Sequence, residues 1–292
     1  MNLFFYFSYM FVEVDMKTGK KTVTKSNKFI EARQSLTLLE QRIVFYLLSL
    51  ISENDEPFKA YEIQVKQFSD IFGLHYDNVI AHLAESCERL RKRDIRIENE
   101  RGDWAQFGWL SSSQYVNGSG KVQVMFDPLI LPHYLKAKSH YTKFDFVVLA
   151  QIKSGYAMRL YELLKMEQFK HVDFVFSKVF NVSDFRDLLG VEPKKYQLFA
   201  DFRKWILEPS LDEISKNTDL DMENIEYLKN GKTIEKIKIT MRVKPEAPKL
   251  TEPVKPPKPK TEQDELTIKL IDFGFSENQV YELRKKYTNK AL

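Results

Sequence analysis

The sequence predicts an α+β chain in which one winged-helix unit occurs twice in tandem, and three observations predict it. A short motif recurs: Phe68-Ser69-Asp70-Ile71-Phe72-Gly73-Leu74 returns as Phe185-Arg186-Asp187-Leu188-Leu189-Gly190-Val191. Each copy ends a helical pattern on a glycine, the residue that tolerates the left-handed backbone closing a helix, and a long amphipathic pattern follows it. Each is then followed by two strand-like stretches around an Asn-Gly turn, the strongest short hairpin signal.

Taken in order, residues 1–25 read as an N-terminal extension. Its start, MNLFFYFSYMF, lacks a basic leader and a small-residue cleavage site, and falls well short of the roughly twenty apolar residues a membrane span needs. The first winged-helix domain is expected over 26–138. It holds an apolar helix from Arg42 to Leu50, the short helix ending at Gly73, and a long helix carrying Val79, Ile80, Leu83, Cys87 and Leu90 at three- to four-residue spacing. A hairpin from Trp104 to Phe126 turns at Asn117-Gly118-Ser119-Gly120. The second domain is expected over 139–244: a helix from Met158 to Lys165, the short helix ending at Gly190, and a long helix starting near Lys194 with Phe199, Phe202, Ile206 and Leu211. Its hairpin, Met222 to Val243, turns at Lys229-Asn230-Gly231-Lys232.

The remainder changes character. Six of the eleven prolines lie between Lys244 and Thr261, interleaved with Lys249, Lys255, Lys258 and Lys260. Such a stretch cannot bury enough apolar surface to order itself, so residues 245–261 are expected to form a flexible, extended linker. Residues 262–292 read as a short helical tail whose apolar side chains need something to dock on.

Composition limits the function classes. At 292 residues and 43% hydrophobic, the chain can build two cores, and 29% charged residues give it a solvated surface. The net charge of +4 is too small to indicate a nucleic-acid partner, so the position of the charge matters more than its total. The single cysteine, Cys87, sits on an apolar helical stripe and reads as a small buried hydrophobe; it forms no internal disulfide, which suits the reducing cytoplasm.

No catalytic, cofactor or metal site is expected. Gly118-Ser119-Gly120-Lys121 is no phosphate loop, because Tyr115 stands where that motif needs glycine and Val122 where it needs Ser or Thr. His75, His82, His133, His140 and His171 include no pair one residue apart, as a nicking enzyme's metal would require. The sevenfold spacing of Leu36, Ile43 and Leu50 is too short for a zipper and is read as core packing.

The cations gather on the parts of a winged helix that meet DNA. Arg89, Arg91, Lys92, Arg93 and Arg96 end the first long helix; Lys194, Lys195, Arg203 and Lys204 belong to the second. Lys229, Lys232, Lys236, Lys238, Arg242 and Lys244 run along the second hairpin. Any one cluster suits an ordinary solvated face, but three on a doubled helix-turn-helix point to double-stranded DNA. The candidate DNA-binding residues are His75, Tyr76, Asn78, Arg89, Lys92 and Arg93 in the first domain. In the second they are Lys194, Lys195, Gln197, Arg203, Lys204 and Lys232.

Four further stretches carry a family resemblance. Ser26-Asn27-Lys28-Phe29-Ile30-Glu31-Ala32 with Leu36-Thr37-Leu38-Leu39-Glu40-Gln41-Arg42 resembles the opening of iteron-binding plasmid replication initiators. Arg159-Leu160-Tyr161-Glu162-Leu163-Leu164 and Leu207-Glu208-Pro209-Ser210-Leu211-Asp212-Glu213-Ile214-Ser215 are similar to their second-domain motifs, with Ser210 and Ser215 as departures. The resemblance spans about Ser26 to Val243. It implies a cytoplasmic, non-enzymatic protein that binds directly repeated origin sites as a monomer through both winged helices. It also implies opening of the duplex, recruitment of host replication proteins, and dimerisation through the first domain to repress its own gene. The main sequence readout would fall to the helix starting near Lys194. Two other functions fit the residues themselves: a transcriptional regulator with tandem winged helices, and a protein-interaction scaffold that binds no DNA.

Overall fold

The computed structural model describes residues 22–52, 55–56, 58–98, 101–130, 141–171 and 173–245, apart from the side chains of 77, 78 and 81. The aromatic start of the extension, most of the proline-lysine linker and the helical tail lie outside them. Each half of the chain opens with a strand that runs directly into a short helix. In the first half these are β1 (Thr22–Ser26) and α1 (Asn27–Glu31), then the buried α2 (Leu38–Leu50). In the second half they are β7 (Tyr141–Asp145) and α5 (Phe146–Gln151), then α6 (Gly155–Gln168). Ser26 and Asp145, at the ends of the two strands, each accept a backbone N–H of the adjoining helix, which satisfies an otherwise orphaned donor.

The rest of each half repeats element for element. In the first unit β2 (Ala60–Gln64) leads to α3 (Val65–Phe72), then α4 (Tyr76–Lys92), then the wing strands β5 (Leu110–Tyr115) and β6 (Lys121–Phe126), with sheet order β2-β6-β5. In the second, β8 (Val175–Asn181) leads to α7 (Val182–Leu188), then a long broken helix (199–217), then β9 (Leu220–Asn230) and β10 (Thr233–Val243), with sheet order β8-β10-β9. Gly73 and Gly190 end the α3 and α7 regions with φ of 62° and 71°, the left-handed turn expected of both. The fold is the tandem winged helix that the repeat predicts.

Four features depart from the sequence expectation. The stretch from Trp104 to Phe126 is not one hairpin: β4 (Trp104–Gly108) pairs back with β3 (Asp94–Glu98) as a separate ribbon, and only β5 and β6 form the wing. Residues 22–25, expected in the extension, belong to β1. The small strands β2 and β8, too short for a clear alternation, close each sheet. The fourth concerns the second long helix, which starts at Phe199 and not near Lys194. Tyr196 takes a left-handed φ of 52°, which no continuing helix can contain. That helix runs as α8 (Phe199–Phe202), one π turn (Arg203–Leu207) and α9 (Glu208–Asn217). Pro209 explains the wide turn. A proline ring collides with the carbonyl four residues back and donates no hydrogen bond, and the extra residue of a π turn relieves both, with Glu208 N–H reaching Arg203 O.

The core is continuous across both units. Phe45 meets Phe144 and Phe72 meets Phe146 edge to face, each with ring centroids 6.1 Å apart. Cys87 is buried in it and its thiol is pushed up to about 12 by burial, an inert packing residue. Ile43 is buried and Leu36 and Leu50 pack against the same core, as expected of core and not of a dimer seam.

Polar groups knit the halves together. β1 and β7 pair antiparallel, Thr22 opposite Asp145 and Ser26 opposite Tyr141. The inward Lys25 of β1 ion-pairs with buried Glu162 of α6, which also receives Arg159 Nη1 at 2.8 Å. Arg159 reaches back into the first half, donating to the carbonyls of Ile30 and, at 2.9 Å, Ala32, where α1 ends. Arg42 of α2 does the reverse, donating at 3.3 Å to the carbonyl of Ile152, where α5 ends. Gln41 donates to Leu36 and Gly155 carbonyls at 3.0 and 3.2 Å. Gly190 comes so close to the first half that a Cβ there would lie 2.7 Å from Gln34 O.

Burial alone would raise the Glu162 carboxyl, but Lys25 and Arg159 outweigh it and hold it below the usual carboxylate range. Its stabilising charge is therefore complete above the unfolded value of 4.5 and is lost as pH falls through the lower folded value. Glu162→Gln should cost about 3 kcal/mol near neutral pH, because it leaves buried Lys25 without its carboxylate and takes one of Arg159's partners. In urea titrations at stepped pH the gap to the unsubstituted protein should close as acid neutralises Glu162 itself. A pH-independent gap would show that Glu162 carries no charge in the fold.

Gly190→Ala meets both a left-handed backbone and the Gln34 carbonyl, whereas Gly231→Ala, at φ 61°, meets only the backbone penalty in open space. The second should cost about 1 kcal/mol, and the first at least twice that by the same urea measurement. Equal costs would mean that the two halves do not touch at Gly190.

Candidate nucleic-acid interface

The two helix-turn-helix units share one plan and present different surfaces. In the first, α4 starts at Tyr76 with half-buried His75 as its N-cap; the side chain of Asn78 lies outside the described residues. Tyr76 is exposed, and its hydroxyl lies 3.2 Å from where a Cβ on Gly120 would stand. Val65 N–H donates to Gly120 O at 3.0 Å, so the wing turn is tied back against the start of α3 and α4. The wing's Lys121 is paired with Glu62 at 2.8 Å.

The predicted cations of α4 are largely committed. Buried Glu40 caps α2, accepting Thr37 N–H at 2.8 Å while Thr37 Oγ1 accepts Glu40 N–H in return. Its other oxygen receives Arg89 Nε at 3.1 Å, and Arg93 Nε reaches it at 3.2 Å. Arg93 also donates to Ser35 O at 2.8 Å. These two arginines fasten the end of α4 to α2. Lys92 is exposed but pairs with Glu88 at 2.5 Å, and Glu85 sits near His82 and Arg89. Arg91 stays exposed with no ion pair among the described residues, so the outer face of α4 keeps one open cation beside pairs that are already matched.

The second unit leaves its charge open. Lys194, Lys195 and Gln197 lie in the exposed turn before the helix, and Arg203 and Lys204 on its first turns. Arg186 donates to Lys195 O at 2.8 Å and so fixes that turn, while Lys195 Nζ pairs with Glu192. Arg203 stacks over Tyr227 of the wing, 5.8 Å from the ring centroid, and reaches Glu208 at 3.4 Å; Lys204 lies over Trp205. Phe199 meets Tyr227 edge to face and braces the wing against the helix. Beyond the last β8 pair, Lys236 with Asn181, the wing projects as a two-stranded ribbon carrying Lys229 and Lys232 at its tip. Lys194, Lys204, Lys229, Lys232 and Lys236 have no carboxylate partner among the described residues.

The structure therefore gathers Lys194, Gln197, Arg203, Lys204 and Lys232 on the second unit, and sets Arg89 and Arg93 apart as fold-holding residues. Lys229 and Lys236 join the former, signalled in the sequence by the wing's run of lysines. The anchor of that wing is not legible in sequence: Tyr161 donates to Asp219 at 2.7 Å, and Lys165 pairs with the same carboxylate at the root of β9.

Known families and structures agree with this architecture. Residues 22–165 match the family described as initiator replication protein, first winged helix, and residues 181–241 match initiator Rep protein, second winged helix. The first match extends through α5 and into α6. The chain also resembles the crystal structure of the Pi initiator protein in complex with iteron DNA, with TM-score 0.65 and 17% identity over 78% of this chain and 99% of that one. At that identity the likeness concerns the fold. A further similarity, to the WH1 domain of MSBI1.176, a replication protein isolated from a multiple sclerosis patient, covers 33% of this chain and 79% of that domain. Its identity is 18% and its TM-score of 0.28 is too low to bear on the fold.

Arg89→Ala and Arg93→Ala should each lower stability by about 1–2 kcal/mol, since each removes a charge-assisted hydrogen bond from a buried carboxylate. Lys92→Ala, which breaks only an exposed pair, should cost less than about 0.5 kcal/mol. If urea unfolding finds all three alike, Glu40 is not the anchor of α4.

Proposed function

We infer this chain's function from the family to which it belongs, that of the initiator replication proteins, matched through both winged helices. It is a plasmid replication initiator that binds iterons, repeated double-stranded sites at an origin. The observation that carries the finer reading is the row of unpaired lysines on the second recognition turn and its projecting wing. That unit supplies most of the phosphate contacts and the main base readout. The first, with one open cation on its helix and a tied-back wing, adds a smaller share.

Beyond binding, the protein helps open the origin and recruits host replication proteins. As a dimer through its first domain, it represses its own gene. Origin recognition needs binding energy and no bond-making step, so the reading is of a cytoplasmic binding protein and not an enzyme; it is supported by the lack of any histidine pair at nicking-enzyme spacing. Among the described residues no helix is long and apolar enough to cross a membrane.

The test uses duplexes carrying direct repeats found by sequencing the DNA that flanks the gene. Binding should fall steeply with salt, as counterions are released from each neutralised phosphate. Replacing Lys194 and Lys232 together by alanine should flatten the slope of log affinity against log salt by about 2 units. Lys92→Ala should leave it nearly unchanged. Salt-independent binding, or a slope that moves with Lys92 and not with Lys194 and Lys232, would sink the assignment of the second unit.

A further inference from the structure

The second recognition helix breaks two local rules at one residue. Its N-cap is Leu198 and no side chain caps it, although Ser, Thr, Asp and Asn prevail there because their oxygens accept the first free N–H groups. Nor is the leucine buried in compensation, being 69% exposed while Phe202 and Ile206, one and two turns on, are fully enclosed. Its backbone is nevertheless held, because Leu198 O accepts the N–H groups of Asp201 and Phe202, each at 3.1 Å. Gln197, Ala200, Arg203 and Lys204 stand exposed around it. Among the described residues this side chain neither caps nor packs, and sites where local rules fail without internal compensation are where function is expected.

We propose that Leu198 is a specificity-determining residue that reads thymine, packing its isobutyl group against the C5-methyl in the major groove. The assignment rests on the reading of the second unit as the DNA-binding face. Among the four bases only thymine offers an apolar group on its major-groove edge. Against any other edge the leucine would cover a donor or acceptor without pairing it, so the same contact that favours thymine penalises the alternatives. Lysines on the flanking turn and wing are placed to neutralise phosphates and fix the register in which such a contact repeats.

The experiment measures fluorescence anisotropy on repeat duplexes in which thymines are replaced one at a time by deoxyuridine, which pairs identically and lacks only the methyl. The unsubstituted protein should lose about fourfold in affinity at one or two positions, roughly what burying one methyl group contributes. Leu198→Ala should bind the thymine duplex with that loss already present and should not distinguish thymine from deoxyuridine there. Leu198→Ser should behave likewise while its Tm rises, because the hydroxyl restores the missing cap; that rise shows that the binding defect is not misfolding. Discrimination that survives in Leu198→Ala, or no discrimination at any position by the unsubstituted protein, overturns the assignment. Failure of the unsubstituted protein to bind the repeats at all overturns the DNA-binding reading, and this assignment with it.

Discussion

Two arginines exchanged between the halves hold the molecule together. Arg42 sits on the first long helix of one unit and Arg159 at the matching place in the other, and each donates to the carbonyls that end the short helix of the opposite unit. A helix C-terminus carries unsatisfied carbonyls and partial negative charge, so a guanidinium there answers both needs at once. Separating the units would strand two buried guanidiniums and the carbonyls they serve. Pairing of the equivalent strands β1 and β7, and the Lys25–Glu162–Arg159 cluster behind them, makes the same point from the other side of the joint. Three of the four stretches that resemble the initiator family, Ser26 to Ala32, Leu36 to Arg42 and Arg159 to Leu164, are in large part this joint. A rigid joint fixes how far apart two recognition helices stand, which is what a protein reading a repeated site through two heads requires.

One plan yields two unequal surfaces, and electrostatics makes the difference. In the first unit Glu40 draws Arg89 and Arg93 inward, Glu88 answers Lys92, and the wing turn is fastened to the base of α3. In the second, Asp219 anchors the wing at its root, leaving its tip to project with Lys229 and Lys232 unopposed. Charge that is already neutralised within the chain releases few counterions on meeting DNA, so the second unit has more to gain from contact.

The irregularities collect in that same helix. Left-handed Tyr196, uncapped Leu198, the π turn at Arg203–Leu207 and Pro209 fall within a single short stretch. Each costs local stability, and the surrounding contacts supply what holds it: Arg186 on Lys195 O, Phe199 on Tyr227, and the buried Phe185–Phe202 pair. Arg203, the first residue of the π turn, lies over Tyr227 of the wing, so helix and wing are joined at that point.

The tandem winged helix was legible in the chain because its signals are local. A glycine forced to positive φ, Asn-Gly turns, and apolar residues at helical spacing all act over a few residues, and the recurrence of the Phe68 and Phe185 motifs made the repeat visible. Cys87 and the Leu36–Ile43–Leu50 stripe were likewise readable as core. Three things were not legible: where the second recognition helix begins, which cations are free, and what joins the halves. The first turns on a left-handed Tyr196, a conformation that its residue type does not advertise. The second turns on partners far along the chain, as Arg89 shows by spending its charge on Glu40. The third depends on carbonyls, which every residue carries and no sequence pattern marks, so only the folded chain decides that Arg42 and Arg159 find those of Ile152, Ile30 and Ala32.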